Sequence, residues 1–420
     1  MPRWSSKTKN ERGSPASTMG ATPTALRSQL PTYASTATKI RLSMLATAIV
    51  DALGGPAEFH KRSTFPFVTS MTPNFNFNLP PGVWTDDTSM MLCLASSIST
   101  SKESAGSTNT GGFDQVHQLE LYTLWRRDGH LSAIGRCFDV GNQISRALTT
   151  FESYDPEEAL HRIQADLGGD ASGGNGSLMR ILPIGLAYWR NETQAKQYAR
   201  LSSQATHPSI MCVEVCEMWT GLISLVMEEI NAPRDTSGDT GTSTFSKLTL
   251  LEYISNFPYT HAKLRDALTM PSGIPPRPED KAAREQWYWS HHPLLRLIAE
   301  TQGASKRKEG AFPYTIPPAD RLPSSGYVLH TSVAALYCFF TTKTFEEGAL
   351  LAVNLGDDAD TVGAVYAGLA GCWYSGEEDV AEDVFWTERV REWRKALVKQ
   401  ELVEEVAEKL VSWERKQANL

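Results

Sequence analysis

The chain has 420 residues, of which 41% are hydrophobic and 21% charged, with 30 Gly and 23 Pro. That composition excludes a disordered, collagen-like or disulfide-scaffold protein, and a chain this long buries about three quarters of its unfolded surface. The net charge of −8 hides a basic start, Arg3, Lys7, Lys9, Arg12, Arg27, Lys39 and Arg41 against Glu11 alone, so the remainder is strongly acidic and wholesale nucleic-acid binding is not expected.

Residues 1–38 are rich in Ser and Thr, poor in acids and without apolar periodicity, and read as a disordered tail preceding one domain over 39–420. The tail's composition also leaves a mitochondrial transit peptide open. No apolar run approaches the roughly 20 residues that span a bilayer, and the N-terminus lacks the apolar core of a secretory signal, so no membrane partner is expected. Cys93, Cys137, Cys212, Cys216, Cys338 and Cys372 lie mostly in apolar runs with no C-x-x-C pair. They read as reduced residues of an intracellular protein, cytoplasmic or nuclear. A monomer is expected.

From Ile40 onward apolar residues recur at spacings of 3 and 4, first at Leu42, Leu45, Ala46 and Ile49 and then at Leu119, Tyr122, Leu124 and Trp125. Further helices are predicted over 157–167, 178–190, 193–204, 210–230, 247–256, 293–301, 330–340, 345–354, 360–373 and 384–416. Strand-like alternation is almost absent. The fold class is therefore all-α, a single compact bundle. Helices 178–190, 210–226, 330–340 and 360–373 are apolar around most of their circumference and belong inside. The last alternates Glu and Lys and reads as a surface element. Between 231 and 325 the texture turns to Gly, Ser, Thr and Pro, which reads as a loop-rich, partly helical insertion.

Several segments place polar residues at the head of an apolar helix. In GVWTDDTSMM (82–91), Thr85, Asp86, Asp87 and Thr88 could simply cap a helix, because Thr and Asp accept first-turn amides. One cap residue suffices for that. Adjacent carboxylates repel unless a cation lies between them. In NLGDDADTVGAVYAG (354–368), Asp358 and Asp360 would point about 200° apart within a regular helix and can converge only in the loop and first turn. Together the two clusters offer the hard oxygens that a pair of Mg²⁺ ions takes, Mn²⁺ being the alternative, and no His or Cys beside them suggests zinc.

GGNGSLMRILPIGL (173–186) runs a glycine-rich loop into a helix, so its amides can approach an anion. It lacks the Walker lysine and follows no strand, so it is neither a P-loop nor a Rossmann turn. SSQATHPSIMC (202–212) sets His207 at a helix junction, structural or phosphate-facing. VDALGGPAEF (50–59) leaves Asp51 and Glu58 as candidates for the same acidic pocket.

These segments, in this order, resemble the ADP-ribosylglycohydrolases, the family of the dinitrogenase-reductase-activating glycohydrolase; the likeness runs from Ile40 to Gly376. The resemblance implies an orthogonal helix bundle with a binuclear metal cleft that hydrolyses the C1″ bond between ADP-ribose and an acceptor. It assigns Thr85, Asp86, Asp87, Asp358, Asp360 and Thr361 to two Mg²⁺ or Mn²⁺ ions. Asp87, Asp360 and Glu58 are then candidates for the catalytic base. Gly174, Asn175, Gly176, Ser177, Leu178, Met179 and Arg180 would line the ADP-ribose site, with His207 near the phosphates and Tyr327 toward the adenine.

Val50 stands where the family usually has Gly. A metal-dependent phosphohydrolase and a catalytically silent ADP-ribose-binding relative are the rival readings. The first usually recruits histidine; the second would be expected to lose acidic positions that are all present here. The partner is an ADP-ribosylated protein or a small ADP-ribosyl compound. Neither 65–82 nor 231–325 holds a dense acidic cluster to pair a guanidinium, which favours an O-linked or free ADP-ribosyl substrate over an arginine-linked one.

Overall fold

A computed structural model describes residues 25–100, 113–169, 172–232, 245–303 and 312–418. Among these residues every extended element is an isolated bridge, Asn74 with Leu79 and Gly174 with Tyr327, and the rest of the regular structure is helical. All-α is therefore the fold class.

The centre of the molecule is an antiparallel pair, Thr36–Gly54 and Ala359–Tyr374, whose residues are almost all buried. Small residues let the two backbones touch along their length. A Cβ on Gly54 would lie 2.6 Å from Asp360 Cα, and one on Gly371 would lie 2.9 Å from Ser43 Cα. Val50, at the family's glycine position, fits because it faces Gly363, where a Cβ would meet Val50 Cγ1 at 2.8 Å. This contact carries the end of the first helix, and so Asp51 and Glu58, to the start of the second.

Around the pair lie Asp86–Thr100, Leu182–Tyr188, Ile210–Asn231, Val328–Thr341, Phe345–Val353 and Gln400–Gln417. Contrary to the expectation from apolar runs, Thr36–Ala57 and Ile210–Asn231 are long and apolar enough to cross a membrane by length and composition. Each is 83% buried within the fold.

The structure departs from the sequence reading in several elements. Within the expected tail, residues 25–38 are packed: Leu26 is buried, its amide donates to Glu285 Oε1 at 2.5 Å, and Thr32 donates to Trp373 O at 2.9 Å. Residues 1–24 lie outside the described residues. The 231–325 segment is less loop-like than its composition suggests. Its described part forms Lys247–Asn256, Ala262–Leu268, Lys281–His291 and Pro293–Gln302, and buries Leu251, Ile254, Leu264 and Leu295 in the common core.

The last predicted helix divides at Lys399, whose φ is +51°, and Gln400–Gln417 turns Val403, Val406, Leu410 and Val411 inward. Its Glu and Lys residues mostly occupy the outer face, but Glu414 is buried and accepts from Trp189 Nε1 at 3.0 Å. The helix predicted over 178–190 starts at Leu182, because residues 175–181 turn tightly around Arg180.

Candidate active site

The two acidic helix heads meet at the end of the central pair. Asp51 builds the first. It is fully buried, and its Oδ1 accepts from Thr85 N and Oγ1, both at 2.9 Å, while Oδ2 accepts from Thr88 N at 3.0 Å and Thr88 Oγ1 at 2.5 Å. A carboxylate from a neighbouring helix thus does the capping that Thr85 or Asp86 could have done locally. Asp86 is thereby released to face the cavity.

The second head is held from behind. Asp358 N donates to Ser324 O at 3.0 Å, and Arg62 spends its guanidinium on Leu355 O, Pro317 O, Leu322 O and Ser324 Oγ. Phe59 N donates to Asp357 O at 2.6 Å and Asp357 N to His60 O at 2.8 Å, which ties the Glu58 loop to the Asp358 loop. Asn175 Nδ2 donates to Asp358 Oδ2 at 2.5 Å and Thr331 Oγ1 at 2.9 Å, so the glycine-rich loop orients that carboxylate too.

Between the heads lies a cavity of about 400 Å³. Glu58, Asp86, Asp358, Asp360 and Thr361 line it, with Gly174, Asn175, Gly176, Met179 and His207 from the loops opposite. Thr85 and Asp87 stand one layer behind. Asp87 Oδ2 receives Thr85 Oγ1 and Thr361 Oγ1, each at 3.2 Å, while its Oδ1 has no protein partner. Glu58 Oε2 is likewise buried without a partner. Glu58, Asp358 and Asp360 each bring one carboxylate oxygen within 4.8 Å of the others.

The sequence-based assignment of Arg180 to the phosphates is not what the structure shows. Arg180 is fully buried behind the loop, donating to Gly176 O, Ser202 O and Thr206 Oγ1 and lying over the Tyr122 ring. It holds the glycine loop in shape and does not reach the cavity wall. Ser177 and Leu178 also turn inward, the Ser177 hydroxyl taking the Ser203 hydroxyl at 2.9 Å. Tyr327 bridges to Gly174 and rests edge-on against His330 beside the wall, not on it.

His207 closes one side, its Nδ1 2.8 Å from Thr206 Oγ1. A Cβ on Gly176 would lie 2.8 Å from its Cε1, so only glycine lets the loop pass under the ring. Sequence reasoning missed Asp139, Gly141, Asn142, Gln143 and Ile144, which form the remaining wall. Their signal is faint: an acid at φ +52° in the turn before helix Asn142–Ser153, written only as FDVGN.

Electrostatically the cavity is one-sided. Glu58, Asp86, Asp139, Asp358 and Asp360 all face it, and among the described residues no Lys or Arg does. Burial, then the neighbouring carboxylates, push the pKa values of Asp86, Asp87, Asp360 and Glu58 far above the usual carboxylate range. Burial raises Asp51, Asp139 and Asp358 to about 6. Burial, then Arg180, pushes His207 well down, so its ring is neutral. Hard oxygens in excess, two of them orphaned, fit divalent cations and suit neither zinc nor a redox metal.

The ADP-ribosylglycohydrolase family pattern matches residues 32–419. An ADP-ribosylarginine hydrolase, Tri1, of Serratia proteamaculans is 28% identical over 89% of this chain and 78% of its own length. The ADP-ribosyl-[dinitrogen reductase] glycohydrolase of Rhodospirillum rubrum is 25% identical over 80% of this chain and 86% of its own. A solved ADP-ribosylglycohydrolase-related protein complex includes a chain that superposes with a TM-score of 0.56 at 28% identity, over 90% of this chain and 99% of the other.

Proposed function

The chain belongs to the ADP-ribosylglycohydrolase family, hydrolases of the glycosidic bonds of ADP-ribose, and from that premise we propose that it uses two divalent cations, Mg²⁺ or Mn²⁺, to release ADP-ribose from an arginine side chain. The observation that carries the reading is the cavity wall with five carboxylates and, among the described residues, no lysine or arginine. Such a wall is costly to bury unless cations occupy it. Glu58, Asp86, Asp358, Asp360 and Thr361 would hold the ions, with Asp87 and Thr85 supporting them from behind. When bound, they supply Lewis acidity that grips the ribose hydroxyls and acidifies water.

The chain's own groups account for the rest. Cleavage at C1″ proceeds through oxocarbenium-like charge, which a ring of carboxylates stabilises. Glu58 and Asp360, both on the cavity wall, would take a proton from the attacking water; Asp87, one layer back, would act on them electrostatically. With Arg180 committed elsewhere and the Asn175 amide given to Gly326 O, the pyrophosphate falls to the amides of Gly174 and Gly176 and to neutral His207.

Two features favour arginine over the O-linked substrate suggested by the composition of 65–82 and 231–325. Asp139 reaches the wall from a loop outside both segments and adds the carboxylate a guanidinium needs. The Serratia relative is called an ADP-ribosylarginine hydrolase.

The decisive experiment measures ADP-ribose release from arginine-linked, serine-linked, polymeric and O-acetyl substrates, each with Mg²⁺ and with EDTA. Metal-dependent release from the arginine-linked substrate is expected. Full activity in EDTA would remove the cations from the mechanism, and preference for an O-linked substrate would reverse the acceptor.

A further inference from the structure

The cavity admits a small ligand, so the body of any protein acceptor must rest on the rim. One part of that rim is unlike ordinary surface. Phe59 lines the cavity yet is 65% exposed, and it sits beside Glu58 at φ +62°, a conformation unfavourable for a bulky side chain. Beside it a tight turn, closed by the Asn74–Leu79 bridge, raises Phe75 to 84% exposure.

This turn is rigidly mounted. Asn74 Nδ2 donates to Gly55 O at 3.0 Å and Asn76 Nδ2 to Glu58 O at 2.8 Å, so it is strapped to the loop that carries Glu58. Phe77, between the exposed rings and the body, stands edge-on to Phe59 at 6.1 Å and packs on Phe138 at 5.4 Å. The Phe59 ring is thus held in place, and the backbone that carries Phe75 is fixed by the Asn74 and Asn76 bonds. Surface phenyl groups clustered around a cavity mouth mark interaction sites, and rigid aromatic anchors lose little entropy on contact.

Resting on the hydrolase reading, the geometry points to this aromatic rim as the docking surface for the protein that bears the ADP-ribose, so that the substrate is a modified protein rather than a small ADP-ribosyl compound. The occupant follows from continuity. Phe59 belongs at once to the cavity wall and to the exposed surface, so the chain flanking a modified side chain must cross it. An apolar or aromatic flank on that acceptor is the chemistry the rim selects.

The test compares wild type, Phe75→Ser and, as a control, Val380→Ser on two substrates: an arginine-ADP-ribosylated protein and free ADP-ribosyl-arginine. Val380 is 59% exposed and lies beyond the far end of Ala359–Tyr374. The expected result is a loss of at least about tenfold in kcat/KM on the protein substrate for Phe75→Ser, with free ADP-ribosyl-arginine cleaved as by wild type and Val380→Ser unchanged on both. Equal loss on both substrates, or none on the protein, overturns the inference while leaving the hydrolase reading in place. A concentration-dependent dimer that Phe75→Ser abolishes in light scattering would assign the rim to a second copy and overturn it as well. Wild type inactive on both would overturn the hydrolase reading first, and the inference with it.

Discussion

The two ends of helix Ala359–Tyr374 bury opposite charges and treat them differently. At its start, Asp360 and its carboxylate neighbours face a cavity with no lysine or arginine among the described residues, where Asp87 Oδ1 and Glu58 Oε2 have no protein partner. About 24 Å away, at its end, two lysines are fully buried and paired with oxygen acceptors. Lys39 donates to Trp373 O at 3.3 Å and Ser375 O at 2.6 Å; Lys247 reaches Phe339 O, Thr342 O and the Tyr374 hydroxyl. Each lysine satisfies carbonyls that a helix end leaves open, a favourable place for a cation. The two buried charges at this end are satisfied and act as a staple, although Trp373 Nε1 and Ser375 Oγ beside them have no partner. The unsatisfied end is poised for something the protein does not itself contain, which is why burial of charge marks function only where the partners are missing.

Replacing one group at each end should separate the two roles. Asp360→Asn is expected to lower kcat/KM by about 10³-fold or more, equivalent to about 4 kcal/mol of transition-state stabilisation. In metal-free protein the same change should hold or raise Tm, because it removes buried charge that has no counter-charge. A large fall in metal-free Tm would mean that the acidic end is structural. Lys247→Ala is expected to do the converse: a loss of about 3 to 5 kcal/mol in urea unfolding, from stranded carbonyls and a cavity, with kcat retained where the protein stays folded. Unchanged stability would show that the lysine does not staple the helices.

pH sharpens the contrast at the stapled end. Burial lowers Lys39 from its ordinary value to about 8. Between pH 8 and 10.5 the unfolded chain therefore binds a proton that the folded chain lacks, so this lysine makes the protein more stable as pH rises through that window and contributes no slope below it. The difference between wild type and Lys39→Met, followed by urea midpoint from pH 8 to 10, should grow by at most about 3 kcal/mol. A flat difference would contradict the depressed lysine.

The smallest effect belongs to the acidic end. Mn²⁺ or Mg²⁺ at ten times its Kd should stabilise the wild type by about 1.4 kcal/mol, read as a rise in Tm, and EDTA should reverse it. Asp360→Asn should show little of this rise. An equal rise in that variant would place the cations elsewhere.

Sequence by itself determined the all-α class, the two acidic helix heads and the glycine loop, because helical periodicity and clustered polar residues at helix starts are local properties of the chain. Asp86, Asp358 and Asp360 were legible for that reason. Only the tertiary structure decided which side chains reach the cavity. Arg180, first-turn basic and beside a glycine loop, has every local mark of a phosphate ligand, yet it is drawn inward, where Gly176 O, Ser202 O and Thr206 Oγ1 accept from its guanidinium over the Tyr122 ring.

Asp139 and Phe59 reach the wall from turns with positive φ, and nothing in their neighbouring residues says where those turns will be docked. The same holds for residues 25–38, whose composition is that of a tail but whose backbone finds Glu285 and Trp373 waiting more than 250 positions away. Local pattern fixes which groups can do chemistry; long-range contact, through burial and the pairing of polar atoms, fixes which of them are left free to do it.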